Sequence, residues 1–466
     1  MISYDEVIIG SGPGGAVVAH QLAEHRRNTL LIEEGPRANR YTHTPFSMDE
    51  ITRLYRNQGM GMSIGPPHVN IAEGRCLGGG SEINSGLYHR LPDEIRDLWQ
   101  KKHHIQSFSP SDLLPYYESI ETALSIHSPD TPHSLAALKL KTGADQLGWY
   151  CPEIPRWVKD GVRQSMSETY IKAYEEWGGV VMDQTRVIRL RHVSGQWEVY
   201  CKGSTGEHVI RAQTVFVAGG AIQTPLLLRR SGITRHVGTT FGLHPTIKII
   251  AEYDDPVSQL GDGVGRFQVK EFSPSMSFGS SVSTPAQIAQ GLSNYGIPPS
   301  FKTDWNRFAI YYAMISTPTM GTVRSLYHDP TPIIRYRLSS PDFIQLGLAF
   351  DRLCSLLWAS GAKRLYPSLP SAPVLHTHSD LNCVKEGIEK GKVHLMSIHL
   401  FGSCPMGENR SHCAVNSFGK VYDCNGLYVS DGSLLGGSPS VNPQGIIMAI
   451  AKRNACEYSH QKGLLG

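Results

Sequence analysis

The sequence predicts an α/β protein in which a Rossmann-like dinucleotide-binding domain carries an inserted α+β domain built on an antiparallel sheet. Three observations lead to this prediction. A glycine-rich turn joins a buried strand to a helix near the amino terminus, β-rich segments dominate residues 246–340, and glycine-rich motifs return toward the carboxyl terminus. Glycine-rich segments on both sides of a β-rich insertion indicate a nucleotide-binding lobe assembled from separate pieces of the chain.

The amino-terminal turn has the form of a dinucleotide fingerprint. Residues 5–9 predict a buried strand and residues 16–24 predict a helix. Gly10 is expected to make the tight turn, Gly12 to let a pyrophosphate approach the backbone, and Gly15 to let helix and strand pack closely. The helix would then offer free N–H groups to the phosphates. The segment GSGPGG holds the candidate glycines of this loop, which are Gly10, Gly12, Gly14 and Gly15.

A carboxylate follows the fingerprint at the expected distance. The second predicted strand, residues 29–32, ends at Glu33, which lies 18 residues after Gly15. An acid about 20 residues beyond the fingerprint typically holds the ribose hydroxyls. Glu33 is therefore the ribose candidate, whereas Glu34 is expected to be solvated. Strand, helix and acid together favour a dinucleotide site over a glycine-rich turn in an unrelated fold.

Length and composition restrict the class of protein. A chain of 466 residues exceeds what one core usually supports, so two or more lobes are expected. A net charge of +3 without a basic run argues against a nucleic-acid partner. Nine cysteines without a CxxC pair argue against disulfides, zinc or an iron–sulfur cluster, and favour reduced thiols in a cytoplasmic protein. We expect no transmembrane segment and no signal peptide, because no apolar run reaches ~20 residues and the first strand begins at once.

Between its ends the chain divides into segments of different character. Residues 91–150 are expected to be largely helical with proline breaks, one of them at Pro115, and further helices are predicted at 166–178, 221–233 and 341–362. Strands are predicted at 180–190, 197–202, 209–217, 247–253, 308–316 and 333–338. The expected domains are a nucleotide-binding domain at 1–90, 151–245 and 389–466, a helical substrate-side segment at 91–150, and a substrate domain at 246–388.

Two later segments carry further predictions. The segment GRCLGGGSEINSGLYHR, at 74–90, contains three consecutive glycines. Their backbone has no side chains, so a flat ligand can lie against it. Near the carboxyl terminus, Asn442 and Pro443 precede a predicted helix at 444–453. Asn is a favoured N-cap and Pro is favoured at the first helical position, so Asn442 is expected to cap this helix.

The chain resembles the glucose–methanol–choline (GMC) family of FAD oxidoreductases. The blocks at 10–36, 74–84, 219–233, 399–407 and 428–453 carry the resemblance, and their order and spacing agree with the family. It implies a p-hydroxybenzoate-hydroxylase-like two-lobe architecture with one FAD. The FAD is expected to be noncovalent, because Ile83 stands where covalently linked members have histidine. The implied FAD contacts are Gly10, Gly12, Gly14, Gly15, Glu33, Arg75, Gly79, Ser81, Asn84, Val187, Asp431, Gly432, Asn442 and Pro443.

The resemblance also implies the catalytic residues. His399, in HLFGSCPMG, matches the catalytic histidine of the family, and Asn442, in SVNPQ, matches its partner. Histidine suits the task because its ordinary pKa of about 6.5 lies near operating pH. Asn cannot act as a base, but it can donate an N–H to the substrate oxygen. The helix after Asn442 would direct its positive end at the flavin, and a structural role is expected for His244.

These assignments predict oxidation of an alcohol to a carbonyl, with the proton passing to His399 and the hydride to flavin N5. The expected substrate is a medium-sized, fairly hydrophobic alcohol, because residues 246–340 are apolar, and a cyclic hemiacetal is the alternative. The expected electron acceptor is O2, a quinone or a protein. The alternative is a lyase or light-driven fatty-acid decarboxylase on the same fold, using FAD without net alcohol oxidation. A nicotinamide-binding protein without flavin is a weaker alternative, since it leaves GGGSEIN and VNPQG unexplained.

Overall fold

The first lobe is a seven-stranded mixed sheet. The computed structural model describes residues 2–37, 47–204, 206–326 and 331–464. Five strands run parallel in the spatial order Val180–Met182, Thr29–Ile32, Ser3–Ile9, Gly206–Val217 and Leu427–Val429. Two more, Arg186–Val193 and Gln196–Gly203, extend the sheet in antiparallel fashion along the first half of Gly206–Val217. This arrangement confirms the Rossmann-like prediction.

The parallel strands end at one edge of the sheet. Ile9 pairs with Ile32 and Val217, and Val217 pairs with Val429. Loops that follow the carboxyl ends of parallel strands assemble the ligand site in such sheets. The predicted strand at 180–190 is two strands, because Gln184 has a positive φ of 49° and turns the chain between them.

Four helices cover this sheet: Pro13–Glu24, Tyr170–Glu176, Gly220–Arg230 and Gln444–Gln461. The first of them contacts both Tyr170–Glu176 and Gln444–Gln461. The predicted helix at 166–178 is shorter than expected. Before it, Thr169 Oγ1 donates to Ser165 O at 2.7 Å, and such hydroxyl bonds compete with helix formation.

The second lobe is an eight-stranded, mostly antiparallel sheet, as predicted. Its strands are Gly61–Met62, Val69–Ile71, Thr246–Glu252, Gln268–Val269, Met276–Ser280, Phe308–Ile315, Arg364–Pro367 and Leu395–Ser397. Three of them lie outside residues 246–388, so this sheet takes strands from both sides of the expected domain boundaries. Those boundaries remain predictions. One face of the sheet, including Ile249 and Ala313, packs against the long helix Ser340–Ala359.

The segment at 91–150 is helical, with helices Asp93–His103, Pro110–Ala123 and Leu135–Gln146. The expected break at Pro115 is wrong, because this proline lies inside the second helix and removes only one N–H from it. Within the described ranges, no helix is long and apolar enough to cross a membrane.

The remaining elements are short. The helices and turns are Met48–Leu54, Arg56–Gly59, Gly80–Ile83, Pro285–Leu292, Ser293–Tyr295, Pro299–Asp304, Trp305–Arg307, His378–Asp380, Leu381–Glu389 and Gly432–Leu434. The strands are Ile126–His127, Arg156–Lys159, Val162–Arg163, Gly242–Leu243, Thr322–Arg324, Ile333–Arg335 and Leu400–Phe401.

Candidate active site

A cavity of about 290 Å³ opens at the carboxyl edge of the parallel strands, between the two lobes. The strand ends at Ile9, Ile32 and Val217 contribute to its wall. Twelve of the predicted site residues line it, and these are Gly10, Gly12, Gly14, Glu33, Gly79, Asn84, Val187, His399, Asp431, Gly432, Asn442 and Pro443. The structure therefore brings most of the predicted set to one place.

The amino-terminal glycine loop leaves bare backbone at the cavity wall. Gly10 has a φ of +100°, and a Cβ there would meet Ala218 O at 2.3 Å, so only glycine fits the turn. A Cβ on Gly12 would meet nothing within 4 Å, which leaves its backbone open to a ligand. Gly15 lies outside the lining, where a Cβ would meet Gly10 O at 1.9 Å. This is the close helix–strand packing that its position predicts.

Glu33 is buried at the end of its strand and lines the cavity. Its Oε2 accepts hydrogen bonds from Ser11 N at 3.0 Å and Ser11 Oγ at 2.6 Å, and its Oε1 accepts from Gly35 N at 2.8 Å. A carboxylate has about four acceptor positions, so Oε1 keeps capacity for a ribose hydroxyl. Burial raises the pKa of Glu33.

Glu34 is not solvated, and the prediction that it would be is wrong. Arg56 donates to both of its carboxylate oxygens, at 3.2 and 3.0 Å. Arg75 and Arg186 each lie 3.9 Å from Glu34 Oε1. Burial raises the pKa of Glu34, but the bonds and charge of Arg56 more than offset this, so the pKa is lowered overall. Arg56 is 22 residues away in sequence, and this separation hid the partner from sequence patterns.

The second glycine segment lies directly against the first. A Cβ on Gly79 would meet Gly12 Cα at 2.9 Å, and Ser11 Oγ accepts from Gly78 N at 2.9 Å. Ser81 lies outside the lining, since its hydroxyl donates to Gly78 O at 2.8 Å and accepts from Met166 N at 3.0 Å. Arg75 also lies outside it, with a half-exposed side chain beside Glu34. Ser81 therefore holds the second glycine segment, and Arg75 lies beside Glu34.

The other cofactor candidates border the same cavity. Thr185 donates its N–H to Glu33 O at 2.8 Å. Val187, two residues later, therefore lines the cavity at the end where Glu33 lies. Asp431 accepts from Gly220 N and from Ser433 N, each at 2.8 Å, and ties two glycine-rich turns together. Burial raises the pKa of Asp431.

His399 and Asn442 meet at the cavity wall. Asn442 Nδ2 lies 3.2 Å from His399 Nε2, and His399 Nδ1 lies 3.1 Å from His244 Nδ1. An amide NH2 can only donate, so His399 Nε2 accepts and carries a lone pair. His399 Nδ1 then carries the hydrogen and donates to His244 Nδ1.

The hydrogen-bond chain continues beyond His244. Its Nε2 lies 2.8 Å from Ser438 Oγ, which lies 2.6 Å from Ser316 Oγ. Since His244 Nδ1 accepts, its Nε2 carries the hydrogen and donates to Ser438. The chain fixes one tautomer of His399, with its lone pair at Nε2. This positioning role of His244 was not predicted, because only the fold brings residues 244 and 399 together.

His399 is neutral over the physiological range. Burial lowers its pKa to about 4, and the positive charge of Lys270 lowers it further in the same direction. Burial and the charge of His399 also lower the pKa of His244. A neutral imidazole with an unprotonated Nε2 is the state that a base requires.

Asn442 does not cap the final helix, so that prediction is wrong. The helix Gln444–Gln461 has Pro443 at the N-cap position, and the Asn442 side chain bonds His399 and, at 3.5 Å, Gln268. The helix nevertheless begins at the cavity, since Pro443, Gln444 and Ile447 line it. Its first free N–H groups give this wall a positive end.

These features fit a flavin dinucleotide. Bare backbone at Gly12 and Gly80, where a Cβ would meet nothing within 4 Å, suits phosphates and a flat ring, and Glu33 offers an acceptor for a ribose. Two helices begin at the cavity and favour negative charge there. In the described part of the chain, no group of three or more His, Cys, Asp or Glu residues could hold a metal ion.

A cavity with bare backbone for a dinucleotide and a neutral histidine in its wall is typical of a cofactor-dependent oxidoreductase. The amino- and carboxyl-terminal GMC oxidoreductase profiles match residues 51–246 and 319–451, and a Rossmann-like NAD(P)-binding profile matches residues 8–49. The chain belongs to the GMC oxidoreductase family. Its cofactor is FAD, as the resemblance implied.

Related proteins span the whole chain. An uncharacterised GMC-type oxidoreductase of Sinorhizobium fredii is 34% identical, covering 97% of this chain and 94% of its own length. A long-chain-alcohol oxidase of Arabidopsis thaliana is 26% identical, covering 97% of this chain and 68% of its own length.

Two solved structures share the fold. Pyridoxine 4-oxidase from Mesorbium loti superimposes with a TM-score of 0.79 at 18% identity, covering 98% of this chain and 99% of that one. Formate oxidase of Aspergillus oryzae gives a TM-score of 0.78 at 16% identity, covering 99% of each chain. These likenesses establish the two-lobe fold.

Proposed function

We propose that the protein oxidises an alcohol CH–OH group to a carbonyl, with His399 as the base. The observation that carries the proposal is the geometry of His399, whose Nε2 lone pair faces Asn442 at the cavity wall and whose Nδ1 is held by His244. The bound FAD supplies the acceptor for the hydride. His399 Nε2 takes the hydroxyl proton, and Asn442 Nδ2 directs an N–H toward the same oxygen.

The surrounding residues prepare His399 for this step. Burial keeps the imidazole neutral, since its pKa is about 4. Donation from Nδ1 to His244 stabilises the imidazolium that forms when Nε2 gains the proton, and the hydroxyls of Ser438 and Ser316 extend that chain. The positive end of helix Gln444–Gln461 favours negative charge on the cofactor beside it.

The names of the relatives support an alcohol as the substrate. One relative is by name a long-chain-alcohol oxidase, and a protein of the same fold is by name an oxidase of pyridoxine. The predicted substrate is a fairly hydrophobic alcohol. The predicted electron acceptor is O2, a quinone or a protein. The FAD is proposed to be noncovalent, because Ile83 lines the cavity where linked members have histidine. A cytoplasmic location also remains a prediction.

An anaerobic screen of primary and secondary alcohols tests the proposal. Purified holoenzyme should lose its absorbance near the flavin maximum with at least one alcohol, and the matching aldehyde or ketone should appear in equal amount. A product formed without bleaching, or only under illumination, would refute alcohol oxidation and favour the lyase or photochemical alternative.

A further inference from the structure

The sheet face opposite Ile249 and Ala313 carries polar side chains where it meets Asn442, and this part is called the polar face. Gln268 pairs across the sheet with Gly279, and Gly279 pairs with Tyr312, so these positions share one face. Gln268 Nε2 donates to Tyr312 Oη at 2.8 Å and approaches Asn442 Oδ1 at 3.5 Å. This face therefore reaches Asn442, which lines the cavity beside His399.

Lys270 continues the same face. The N–H groups of Gln268 and Lys270 bond Pro152 O at 3.2 Å and Tyr150 O at 2.9 Å, so the chain stays extended through Lys270. Residues two apart on an extended chain point to one side, and Lys270 therefore lies on the side of Gln268. Its positive charge lowers the pKa of His399, His89 and His244.

One buried polar atom at this place, Lys270 Nζ, has no hydrogen-bond partner among the described residues. His89 belongs to the same place, since hydrogen bonds with Gln268 and Asn442 act on its ring. Buried polar groups are nearly always paired, and an unpaired buried charge is especially costly. Burial lowers the pKa of Lys270 to about 8, so the amine is largely protonated at neutral pH and needs an acceptor.

We infer that Lys270, with His89, binds a carboxylate of the substrate, so that the alcohol oxidised at His399 also carries an acid group. This inference rests on the proposed function for the reaction and adds the class of substrate. The Lys270 ammonium has three donors, and His89 adds one in the tautomer with hydrogen on Nε2. Gln268 Oε1 accepts a substrate hydroxyl or one ammonium hydrogen. A plain alkyl chain would leave the Lys270 ammonium without an anionic acceptor.

The carboxylate site can be measured without turnover. We would titrate the holoenzyme with benzoate and with its neutral analogue benzamide, following the change in flavin absorbance, and repeat both titrations with Lys270→Met. A charge-assisted hydrogen bond contributes about 10- to 100-fold in affinity, so wild type should bind benzoate tighter than benzamide by that factor. Lys270→Met should bring the two affinities together.

A matched control is Lys248→Met. Lys248 pairs with Tyr312 across the sheet and so shares the polar face, and burial lowers its pKa to about 8 as well. This variant should keep the preference for benzoate. Equal binding of benzoate and benzamide by wild type, or a preference lost in Lys248→Met but kept in Lys270→Met, would overturn the assignment to Lys270.

A substrate pair separates this inference from the proposed function. Benzyl alcohol and 4-(hydroxymethyl)benzoate differ only by the carboxylate, and the second should reduce the flavin with the higher kcat/KM, chiefly through a lower KM. If benzyl alcohol bleaches the flavin and the carboxylate gives no gain in binding or KM, the inference fails alone. If benzoate binds through Lys270 but neither alcohol bleaches the flavin, the site stands and support for alcohol oxidation is withdrawn.

Discussion

Glu33→Ala is expected to weaken FAD binding by about 10- to 100-fold for each ribose hydrogen bond that is lost, since bonds to a charged acceptor contribute ~1.5–3 kcal/mol. The same change removes three bonds that hold the glycine loop, from Ser11 N, Ser11 Oγ and Gly35 N. A lower melting temperature of the apoprotein should therefore accompany the loss of FAD. Equilibrium dialysis of FAD and thermal unfolding measure the two effects separately.

Two further variants separate ribose binding from loop support. Ser11→Ala removes the hydroxyl that bonds Glu33 at 2.6 Å and Gly78 at 2.9 Å but keeps the carboxylate. Glu34→Ala removes the neighbouring carboxylate, which is occupied by Arg56. Both should retain FAD better than Glu33→Ala. FAD binding that is as weak in Ser11→Ala as in Glu33→Ala would show that Glu33 only supports the loop, and unchanged FAD binding in Glu33→Ala would remove it from the site.

Further predictions concern colour, rate and acid stability. Acid precipitation should release yellow FAD into the supernatant, whereas a yellow pellet would show a covalent link. The rate of flavin reduction by alcohol should rise with pH around a midpoint near 4, the pKa of His399, and stay flat above pH ~6; a midpoint at 6.5 or above would contradict the buried, neutral base. His20 and His399 have folded pKa values of about 4, below the unfolded value near 6.5, so the unfolded state binds more protons in that window and stability falls as pH falls. Each of these two histidines should lower the free energy of unfolding by ~2 kcal/mol at pH 5. Urea midpoints of wild type and His20→Phe at pH 7 and 5 would measure this effect. The variant should lose less stability between the two pH values than wild type.

Local patterns predicted the nucleotide lobe well. The predicted strand at 29–32 matches Thr29–Ile32, and the strand, glycine turn and helix of the fingerprint are in place. These features depend on residues that are neighbours in sequence, namely an apolar run, glycines that permit the turn and an acid at a fixed distance. The cavity accordingly collects most of the predicted residues.

The errors concern partners that only the fold brings together. Glu34 was expected in solvent because Arg56 lies in a distant segment, and Asn442 was expected to cap a helix although its amide bonds His399. His244 and His399 meet because their neighbours Leu243 and Leu400 pair in a short two-stranded sheet, although 155 residues separate them in sequence.

The central claim is that His399 takes the proton of a substrate alcohol. Anaerobic stopped-flow reduction of the flavin by the best alcohol, in wild type and His399→Ala, tests it most directly. A positioned acid–base group contributes roughly 10²–10⁴-fold, so His399→Ala should reduce its flavin slower by that factor while keeping its FAD and its melting temperature. A His399→Ala variant that holds FAD and is reduced at the wild-type rate would contradict the account.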